Sequence, residues 1–355
     1  MSSAPESPQR PRCTILPSGP SVTIVIPALN EENYIRRAIA SLTPTEGGVD
    51  YELIVLDGGS IDRTREIVSE MSAANRRIRL ASNAARFQAA AMNIGAKIAK
   101  PESDIIIRAD GHSEYPPGFV GRLVQELCER KVASVVVSYR STGITFVQRA
   151  IAAAQNSRLG NGGAAHRIAG ASRYVEHGHH AAFDRKTLLT LGGYDESFTH
   201  NEDAELDVRL SNSGAKIWLC SDLDVAYFPR KTFGALARQY FNYGAGRAKT
   251  ILKHRCTPKP RQLLPVGILS INSCSLVLGT SFGWPFFLPA LAYFGTCAVW
   301  GGVMARYERD SACLASGLAA TIMHHSWAAG FLAGSLRSIV RKSAGDRAKV
   351  AAARS

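Results

Sequence analysis

The feature that most constrains the fold is a regular alternation of short apolar runs and helical segments between residues 22 and 139. The first run is β-branched throughout and ends at Pro27, which is typical of a strand, and the run at 77–82 predicts a weaker strand. The five runs are 22–26, 51–56, 77–82, 104–108 and 132–139. An alanine-rich helix is predicted from about residue 86 to residue 99. Strands that alternate with helices on this period predict a doubly wound, mostly parallel α/β sheet.

Three polar turns follow strands of the predicted sheet, at residues 27–31, 57–60 and 110–112. In open α/β sheets, ligands bind beyond the carboxyl ends of the strands. Because the three turns lie at such ends, we expect them to converge on one edge of the sheet. Asn30 is predicted to cap the helix that follows the first turn, since its side chain suits an N-cap.

Two acidic positions suit a particular chemistry. Asp110 follows the fourth predicted strand, and Glu202-Asp203 lies well downstream. The carboxylate of Asp110 can hold a hard divalent ion on a diphosphate. A carboxylate of Glu202-Asp203 can take a proton from a hydroxyl. The competing interpretation is that Glu202 and Asp203 only favour the start of a helix at 204–213, where acids suit the helix dipole.

Five motifs occur along the chain in a recognisable order: residues 22–32, 57–64, Asp110, 192–195 and Glu202-Asp203. Together they resemble the inverting family 2 glycosyltransferases of GT-A fold, over roughly residues 20–250. The nearest likeness is to the bacterial exopolysaccharide branch typified by the succinoglycan glucosyltransferases. The resemblance implies a Rossmann-like GT-A fold with a mostly parallel sheet, which binds a nucleotide-diphospho-sugar.

The resemblance also implies roles for individual residues of the nucleotide site. Pro27, Ala28, Asn30 and Glu31 match the turn that contacts the base and the ribose. Asp57 matches the acid that accepts the imide N–H of uracil. The alternative for Asp57 is that it only caps the end of its strand.

Asp110 matches the last carboxylate of the Asp-x-Asp turn of the family, which implies Mg²⁺ or Mn²⁺ as cofactor. The first acid of that turn is replaced by Arg108, which departs from the pattern of the family. An arginine there can contact phosphate directly or pair with a neighbouring acid. His112 is a candidate second metal ligand.

Asp203 matches the general base of the family, and Glu202 and Tyr194 are candidates for contacts with the sugar or the acceptor. Many relatives carry a Gln/Arg-x-x-Arg-Trp motif after the base, and residues 238–249 stand in its place. Arg247 of that segment is a candidate for binding the diphosphate. The competing interpretation is a basic amphipathic helix on anionic lipid. Without the motif, processive polymer synthesis is not expected.

Three histidines at positions 177, 179 and 180 resemble a metal cluster, but no acid or cysteine completes the pattern. At most one of them is expected to touch the substrate.

The last third of the chain is strongly apolar. Gln262 to Ala305 is a run of 44 residues without Asp, Glu, Lys or Arg, and Ser311 to Leu336 is another of 26. About 20 apolar residues cross a bilayer as a helix, so the first run is long enough to cross twice. Its turn is predicted near 282–285. The competing interpretation is a buried hairpin of a soluble protein.

Three crossings would separate the basic tail from the basic catalytic domain, which the positive-inside rule disfavours. Two alternatives remain. Either the segment centred on His324 and His325 does not fully cross, or the first run crosses once and lies in the interface once.

The composition gives the remaining boundaries. The first 20 residues hold five prolines and no apolar run, which predicts a disordered leader rather than a signal peptide. A catalytic domain is predicted at 21–255, with a nucleotide half (21–140) and an acceptor half (141–255). Membrane segments at 256–340 and a basic tail at 341–355 follow. The net charge of +13 fits anionic partners, but no motif indicates nucleic acid.

The sequence therefore predicts an inverting hexosyltransferase on the cytoplasmic side of the bacterial inner membrane. The expected donor is a UDP-hexose, with glucose as the expected sugar, and the expected acceptor is a lipid-linked saccharide. One alternative is a polyprenyl-phosphate sugar synthase. The other is a non-catalytic membrane component of a polysaccharide assembly complex, which only Arg108 favours.

Overall fold

The computed structural model describes residues 20–43, 49–163 and 171–352. The predicted leader lies outside these residues except for Pro20, and so do the last three residues of the predicted tail. The chain divides into two compact units, which are described separately. The first comprises Met1–Arg140 and Ala169–Tyr227, and the second comprises Ser141–Ile168 and Phe228–Ser355.

Eight strands of the described residues form one sheet in the order β3-β2-β1-β4-β7-β5-β8-β6. Their bounds are β1 Ser21–Ala28, β2 Asp50–Asp57, β3 Ile78–Ser82, β4 Ser103–Arg108, β5 Ser134–Ser141, β6 Arg173–Val175, β7 His179–Asp184 and β8 Ile217–Tyr227. Strand β1 pairs in parallel with β2 and β4, and β2 with β3, which confirms the predicted α/β sheet. Strand β7 runs antiparallel between β4 and β5, which the sequence did not predict.

The helices that follow these strands agree with the predicted alternation. Before residue 228 they are α1 Ile35–Leu42, α2 Thr64–Ala74, α3 Gln88–Ile98, α4 Phe119–Arg130, α5 Phe146–Asn156, α6 Arg158–Asn161, α7 Arg185–Thr190 and α8 Glu202–Asn212. The prediction that Asn30 caps the first helix is wrong, since α1 begins at Ile35. Asn30 instead adopts a left-handed conformation (φ 58°), and its side chain bonds to the second polar turn.

The core of the first unit lies along its central strands. Ile24 and Ile26 of β1 and Ile107 of β4 are fully buried, and so is Val25 between the two residues of β1. Helix α3 approaches the sheet closely because Gly95 faces Val25, where a Cβ would lie 2.5 Å from a methyl carbon. Burial of this kind supplies most of the stability that holds polar turns in place.

The second unit contains four longer helices: α9 Phe233–His254, α10 Pro260–Phe282, α11 Leu288–Glu308 and α12 Ser316–Ala352. The predicted turn near 282–285 is confirmed, since Gly283 (φ 106°) ends α10 and a 3₁₀ turn at Trp284–Phe287 precedes α11. Among the described residues, two helices are long and apolar enough to cross a membrane, Pro260–Phe282 and Trp284–Glu308. Only 17% and 11% of their apolar windows are buried, so the packing differs from that of a soluble core hairpin.

Helix α12 holds the second apolar run but is not one of these two candidate spans. Its two histidines bond within the unit: His324 Nε2 lies 2.8 Å from the carbonyl oxygen of Leu159, and His325 Nε2 lies 3.0 Å from Asn272 Nδ2. Two crossings would return the chain to the side on which it entered, as the positive-inside rule favours. The choice between the two alternatives for the histidine segment stays a prediction.

Candidate functional site

The first two polar turns are tied together by reciprocal hydrogen bonds. The backbone N–H of Asn30 donates to Ser60 Oγ at 2.9 Å, and the N–H of Ile61 donates to Asn30 Oδ1 at 2.9 Å. The N–H of Glu31 donates to Thr64 Oγ1 at 2.8 Å. The convergence that strand ends alone predicted is therefore fixed by side chains of both turns.

A pocket opens at the carboxyl ends of β1 and β4. It is lined by Pro27, Ala28, Leu29, Glu31, Asn83, Arg86, Phe87, Gln88, Asp110, Gly111 and His112. Five of these residues, Pro27, Ala28, Glu31, Asp110 and His112, are ones that the sequence predicted for the site. His112 Nδ1 lies 2.9 Å from Glu31 Oε1, so the first and third polar turns also meet.

Asp57 does not line this pocket. Its side chain is buried at the end of β2, where the carboxylate accepts hydrogen bonds from the N–H groups of Gly59 (3.0 Å) and Ser60 (3.2 Å). Arg65 Nη1 lies 3.2 Å from the same carboxylate. The capping role considered as the alternative is therefore present, and the contact with uracil stays a prediction.

Arg108 is the central cation of the site. It ends β4 with only 5% of its surface exposed, and its Nη1 lies 2.5 Å from Asp203 Oδ1. Its Nε lies 3.8 Å from Asp110 Oδ1 and has no hydrogen-bond acceptor among the described residues. Burial alone would lower the pKa of Arg108, but the charges of Asp203 and Asp110 raise it well above its usual value. Of the two roles predicted for this arginine, pairing with an acid is the one observed.

Tyr194 is held so that its hydroxyl donates to Asp203 Oδ1 at 3.0 Å. Asn93 of α3 fixes its backbone: the N–H of Tyr194 donates to Asn93 Oδ1 at 2.7 Å, and Asn93 Nδ2 donates to the carbonyl of Tyr194 at 2.9 Å. Gly193 (φ 71°) is required beside it, because a Cβ there would lie 2.2 Å from Asn93 Oδ1. Tyr194 is buried and faces Asp203, so its predicted contact with the acceptor stays a prediction.

Asp203 lies in the first turn of α8, which begins at Glu202 after Asn201 in a left-handed conformation (φ 67°). The acids therefore do begin a helix, as the competing interpretation held, and Asp203 also enters the site. The pKa of Glu202 is raised by burial and by the neighbouring charge of Asp203. Arg108 and Tyr194 both contact the same oxygen of Asp203, Oδ1.

Asp110 is held from three directions. Gln88 Nε2 donates to Oδ1 at 3.1 Å, the hydroxyl of Tyr139 lies 3.5 Å from Oδ2, and His179 Nε2 lies 3.7 Å from Oδ2. Burial alone would raise the pKa of Asp110, but the interaction with His179 and the charge of Arg108 outweigh burial, so the pKa is lowered. The group is therefore an ionised carboxylate on a pocket wall.

Such a carboxylate fits a divalent metal ion, because Mg²⁺ and Mn²⁺ prefer oxygen ligands. Within residues 20–43, 49–163 and 171–352, no group of three or more His, Cys, Asp and Glu side chains is placed to hold a metal without further ligands. Phosphate oxygens commonly complete such sites.

His179, Tyr139, Gln88 and Asn93 are site residues that the sequence analysis did not assign. The only signal was the histidine cluster at 177–180, which lies at the start of β7. His177 of that cluster turns elsewhere and bonds to the carboxylate of Asp207. The predicted diphosphate contact, Arg247, lies on α9 of the second unit and stays a prediction.

Comparisons with known proteins show the family of the chain. Residues 23–192 match the model of glycosyl transferase family 2. Succinoglycan biosynthesis protein ExoA of Rhizobium meliloti (strain 1021) is 40% identical over 311 residues, which cover 88% of this chain and 94% of that protein. The chain belongs to glycosyl transferase family 2. The predicted family membership is confirmed, and the protein is a glycosyltransferase.

More distant proteins are similar in fold or in sequence. A mannosyltransferase from Pyrobaculum calidifontis, PcManGT, solved with GDP-Man and Mn²⁺, superposes with a TM-score of 0.59 at 16% identity over 88% of each chain. Another relative of this family 2 enzyme is a dolichyl N-acetyl-alpha-D-glucosaminyl phosphate 3-beta-D-2,3-diacetamido-2,3-dideoxy-beta-D-glucuronosyltransferase of Methanococcus voltae. It is 24% identical over 257 residues, which cover 65% of this chain and 74% of that protein. The predicted GT-A fold is confirmed.

Proposed function

We propose that this glycosyltransferase moves a hexose from a UDP-hexose onto a lipid-linked saccharide during exopolysaccharide synthesis. The proposed sugar is glucose, and the proposed location is the cytoplasmic face of the bacterial inner membrane. The observation that carries the proposal is the pairing of two carboxylates in one site. Asp110 borders the pocket, and Asp203 lies within ion-pair distance of the same histidine, His179.

In the proposed reaction, Asp203 is the general base. Arg108 and Tyr194 hold its Oδ1, and the carboxylate takes the proton of the acceptor hydroxyl. The acceptor oxygen then bonds to the anomeric carbon from the side opposite the leaving group. The bond between that carbon and the diphosphate breaks, and UDP leaves with the electron pair. A positioned base of this kind typically accelerates transfer about 10²–10⁴-fold.

The donor would lie along the pocket wall. Pro27, Ala28 and Glu31 are proposed to contact the base and the ribose, with Asp110 next to the diphosphate. Mg²⁺ or Mn²⁺ held by Asp110 would neutralise charge that develops on the leaving diphosphate. Arg247 is proposed as a further diphosphate contact.

Two observations support a lipid-linked acceptor and exopolysaccharide synthesis. The two candidate spans have mostly exposed apolar surfaces, which suits a protein that works on acceptors embedded in a bilayer. The relative from Rhizobium meliloti is named for succinoglycan biosynthesis and covers almost the whole chain. Family membership favours an enzyme over the non-catalytic alternative.

A polyprenyl-phosphate sugar synthase is the second candidate, and the contact between Arg108 and Asp203 favours it. A buried arginine that pairs with the base makes that carboxylate a weaker proton acceptor. A lipid phosphate is already ionised and needs no base. The substitution Asp203→Asn separates the candidates, because it should impair transfer to a hydroxyl far more than transfer to a phosphate.

The proposal is tested by incubating membranes that contain the protein with a panel of nucleotide sugars, with and without a chelator. We expect transfer from UDP-glucose that the chelator abolishes and that added Mg²⁺ or Mn²⁺ restores. Transfer from a GDP-sugar alone would contradict the donor. No transfer or hydrolysis with any donor would contradict the proposed function as a whole.

A further inference from the structure

His179 occupies the space between the two carboxylates of the site. Its Nε2 lies 3.7 Å from Asp110 Oδ2, and its Nδ1 lies 3.7 Å from Asp203 Oδ2. The ring packs on Tyr139, with ring centroids 4.1 Å apart, and a quarter of the side chain is exposed. Neither 3.7 Å distance is that of an ordinary hydrogen bond. The imidazole therefore faces both acids, with one ring nitrogen towards each.

We propose that His179, through Nε2, is the second protein ligand of the divalent ion bound by Asp110. The inference rests on the proposed function, since it concerns the ion that binds with the donor. With His179 as a ligand, an ion can bind although Arg108 replaces the first acid of the metal turn. The ligand that the turn lacks would come instead from β7, which pairs with β4 in the sheet.

The distances fit this role. A metal ion forms bonds of about 2.0–2.2 Å to imidazole nitrogen and carboxylate oxygen. Two such ligands at octahedral or tetrahedral angles lie about 3.0–3.5 Å apart, by the same bond lengths. The observed separation of 3.7 Å between Nε2 and Oδ2 therefore needs a closure of only a few tenths of an ångström. Side-chain rotation of either residue supplies such a movement.

The surroundings of His179 also fit a ligand. A metal-bound histidine commonly donates its other ring N–H to a carboxylate, which fixes the tautomer and orients the ring. Here Asp203 Oδ2 faces Nδ1, so a proton on Nδ1 would leave the lone pair of Nε2 on the side of Asp110. Gln88 and Tyr139 support the oxygens of Asp110 in the same way.

Two consequences follow for ion binding. With only two protein ligands, the ion should bind weakly to the free protein and more tightly once UDP adds its phosphate oxygens. An imidazole ligand also changes the ion preference, because Mg²⁺ is bound almost wholly through oxygen whereas transition metals accept imidazole. The site of this chain should therefore prefer Mn²⁺ to Mg²⁺.

The test measures Mn²⁺ binding to the full-length protein in detergent, from the electron paramagnetic resonance signal of free Mn²⁺, with and without saturating UDP. Mg²⁺ competition gives the ion preference. For the wild type, we expect UDP to increase Mn²⁺ affinity and Mg²⁺ to compete poorly. For His179→Ala with UDP, we expect Mn²⁺ affinity to fall at least about tenfold.

Two further variants make the result specific. His179→Asp should recover ion binding and shift the preference towards Mg²⁺, since it replaces nitrogen by oxygen. His177→Ala is the matched control, because His177 bonds to Asp207 and should leave Mn²⁺ affinity unchanged. Thermal denaturation of each variant checks that it is folded, and His179→Asp carries the test if His179→Ala is not.

The outcomes separate this inference from the proposed function. If UDP increases Mn²⁺ affinity equally in the wild type and in both His179 variants, His179 is not a ligand, while the proposed function stands. If the wild type binds no UDP with any divalent ion, both are overturned. A loss of Mn²⁺ affinity in His177→Ala equal to that in His179→Ala would also contradict the assignment.

Discussion

The two units differ most clearly in the side chains that they leave exposed. Among the described residues, seven large hydrophobic side chains are exposed in the first unit and 24 in the second. The charges differ as well. Between residues 225 and 307 the chain has ten Lys and Arg residues and no Asp or Glu. The first unit instead buries acids against partners, as with Arg108 and Asp203.

This difference indicates that the two units are suited to different surroundings, the first to water and the second to a lipid bilayer. A surface with few apolar groups and with paired buried charges suits water, and the paired charges gather where chemistry is expected. A helical hairpin with contiguous exposed apolar side chains and an excess of basic residues suits a bilayer with anionic headgroups. Substitutions in each unit test this difference, and each is paired with a control substitution in the other unit or at a neutral position.

The largest effect is expected from the loss of one partly buried charge in the first unit. Asp203→Asn removes the proposed base, so transfer to a hydroxyl acceptor should fall about 10²–10⁴-fold. UDP affinity, measured by calorimetry, should stay close to that of the wild type. Asp50→Asn, at an exposed carboxylate on β2, is the control and should retain the wild-type rate. A rate for Asp203→Asn within tenfold of the wild type would contradict the role as base and would favour the polyprenyl phosphate acceptor.

The next effect concerns the apolar surface of the second unit. Ile271 lies at the centre of α10 and is 55% exposed. An aspartate at the centre of a membrane-spanning helix costs about 2.5–3.5 kcal/mol. Ile271→Asp should therefore reduce the amount of protein that sediments with membranes.

Ile61→Asp in the first unit is the matched control, because Ile61 is 93% exposed and should already face water. Membrane sedimentation of this variant should equal that of the wild type. Equal sedimentation of all three proteins would show that α10 does not contact lipid, and the comparison between the units would lose its basis.

Local patterns were enough to predict one half of the sheet and one half of the site. Strands such as 22–26 and 104–108 were predictable because β-branched runs and polar turns are signals within a few residues of each other. Asp110 and the pocket residues of the first turn follow from those strand ends. Asn30 was misassigned because its hydrogen bonds cross to the second turn, and no local rule describes that contact.

The other half of the site depends on contacts between distant segments. Asn93 holds Tyr194 from 101 residues away, and His179 reaches Asp110 only because β7 inserts between β4 and β5. A single sequence carries no signal for such an insertion. For the same reason, the contact of Arg108 with Asp203 was one of two alternatives until the structure placed both residues.

The smallest effect is expected from the long-range contact between Asn93 and Tyr194. Asn93→Ala leaves the N–H and the carbonyl of Tyr194 without their partner in a buried setting, which should lower the free energy of unfolding by about 1–3 kcal/mol. Thermal denaturation measures the change. Asn212→Ala, at an exposed helix end, should change the stability by less than about 0.5 kcal/mol. Equal melting temperatures for both variants would show that Asn93 does not hold the loop of Tyr194.

The central claim is that a site built for a nucleotide sugar serves an acceptor in the membrane, and the fate of the sugar tests it most directly. Membranes that contain the protein are incubated with UDP-[¹⁴C]glucose and a divalent ion, then extracted with organic solvent. The account predicts label in the lipid extract, released by mild acid as a saccharide longer than one sugar, and absent with Asp203→Asn. Label confined to the water phase, or a lipid that carries a single glucose and forms equally with Asp203→Asn, would contradict it.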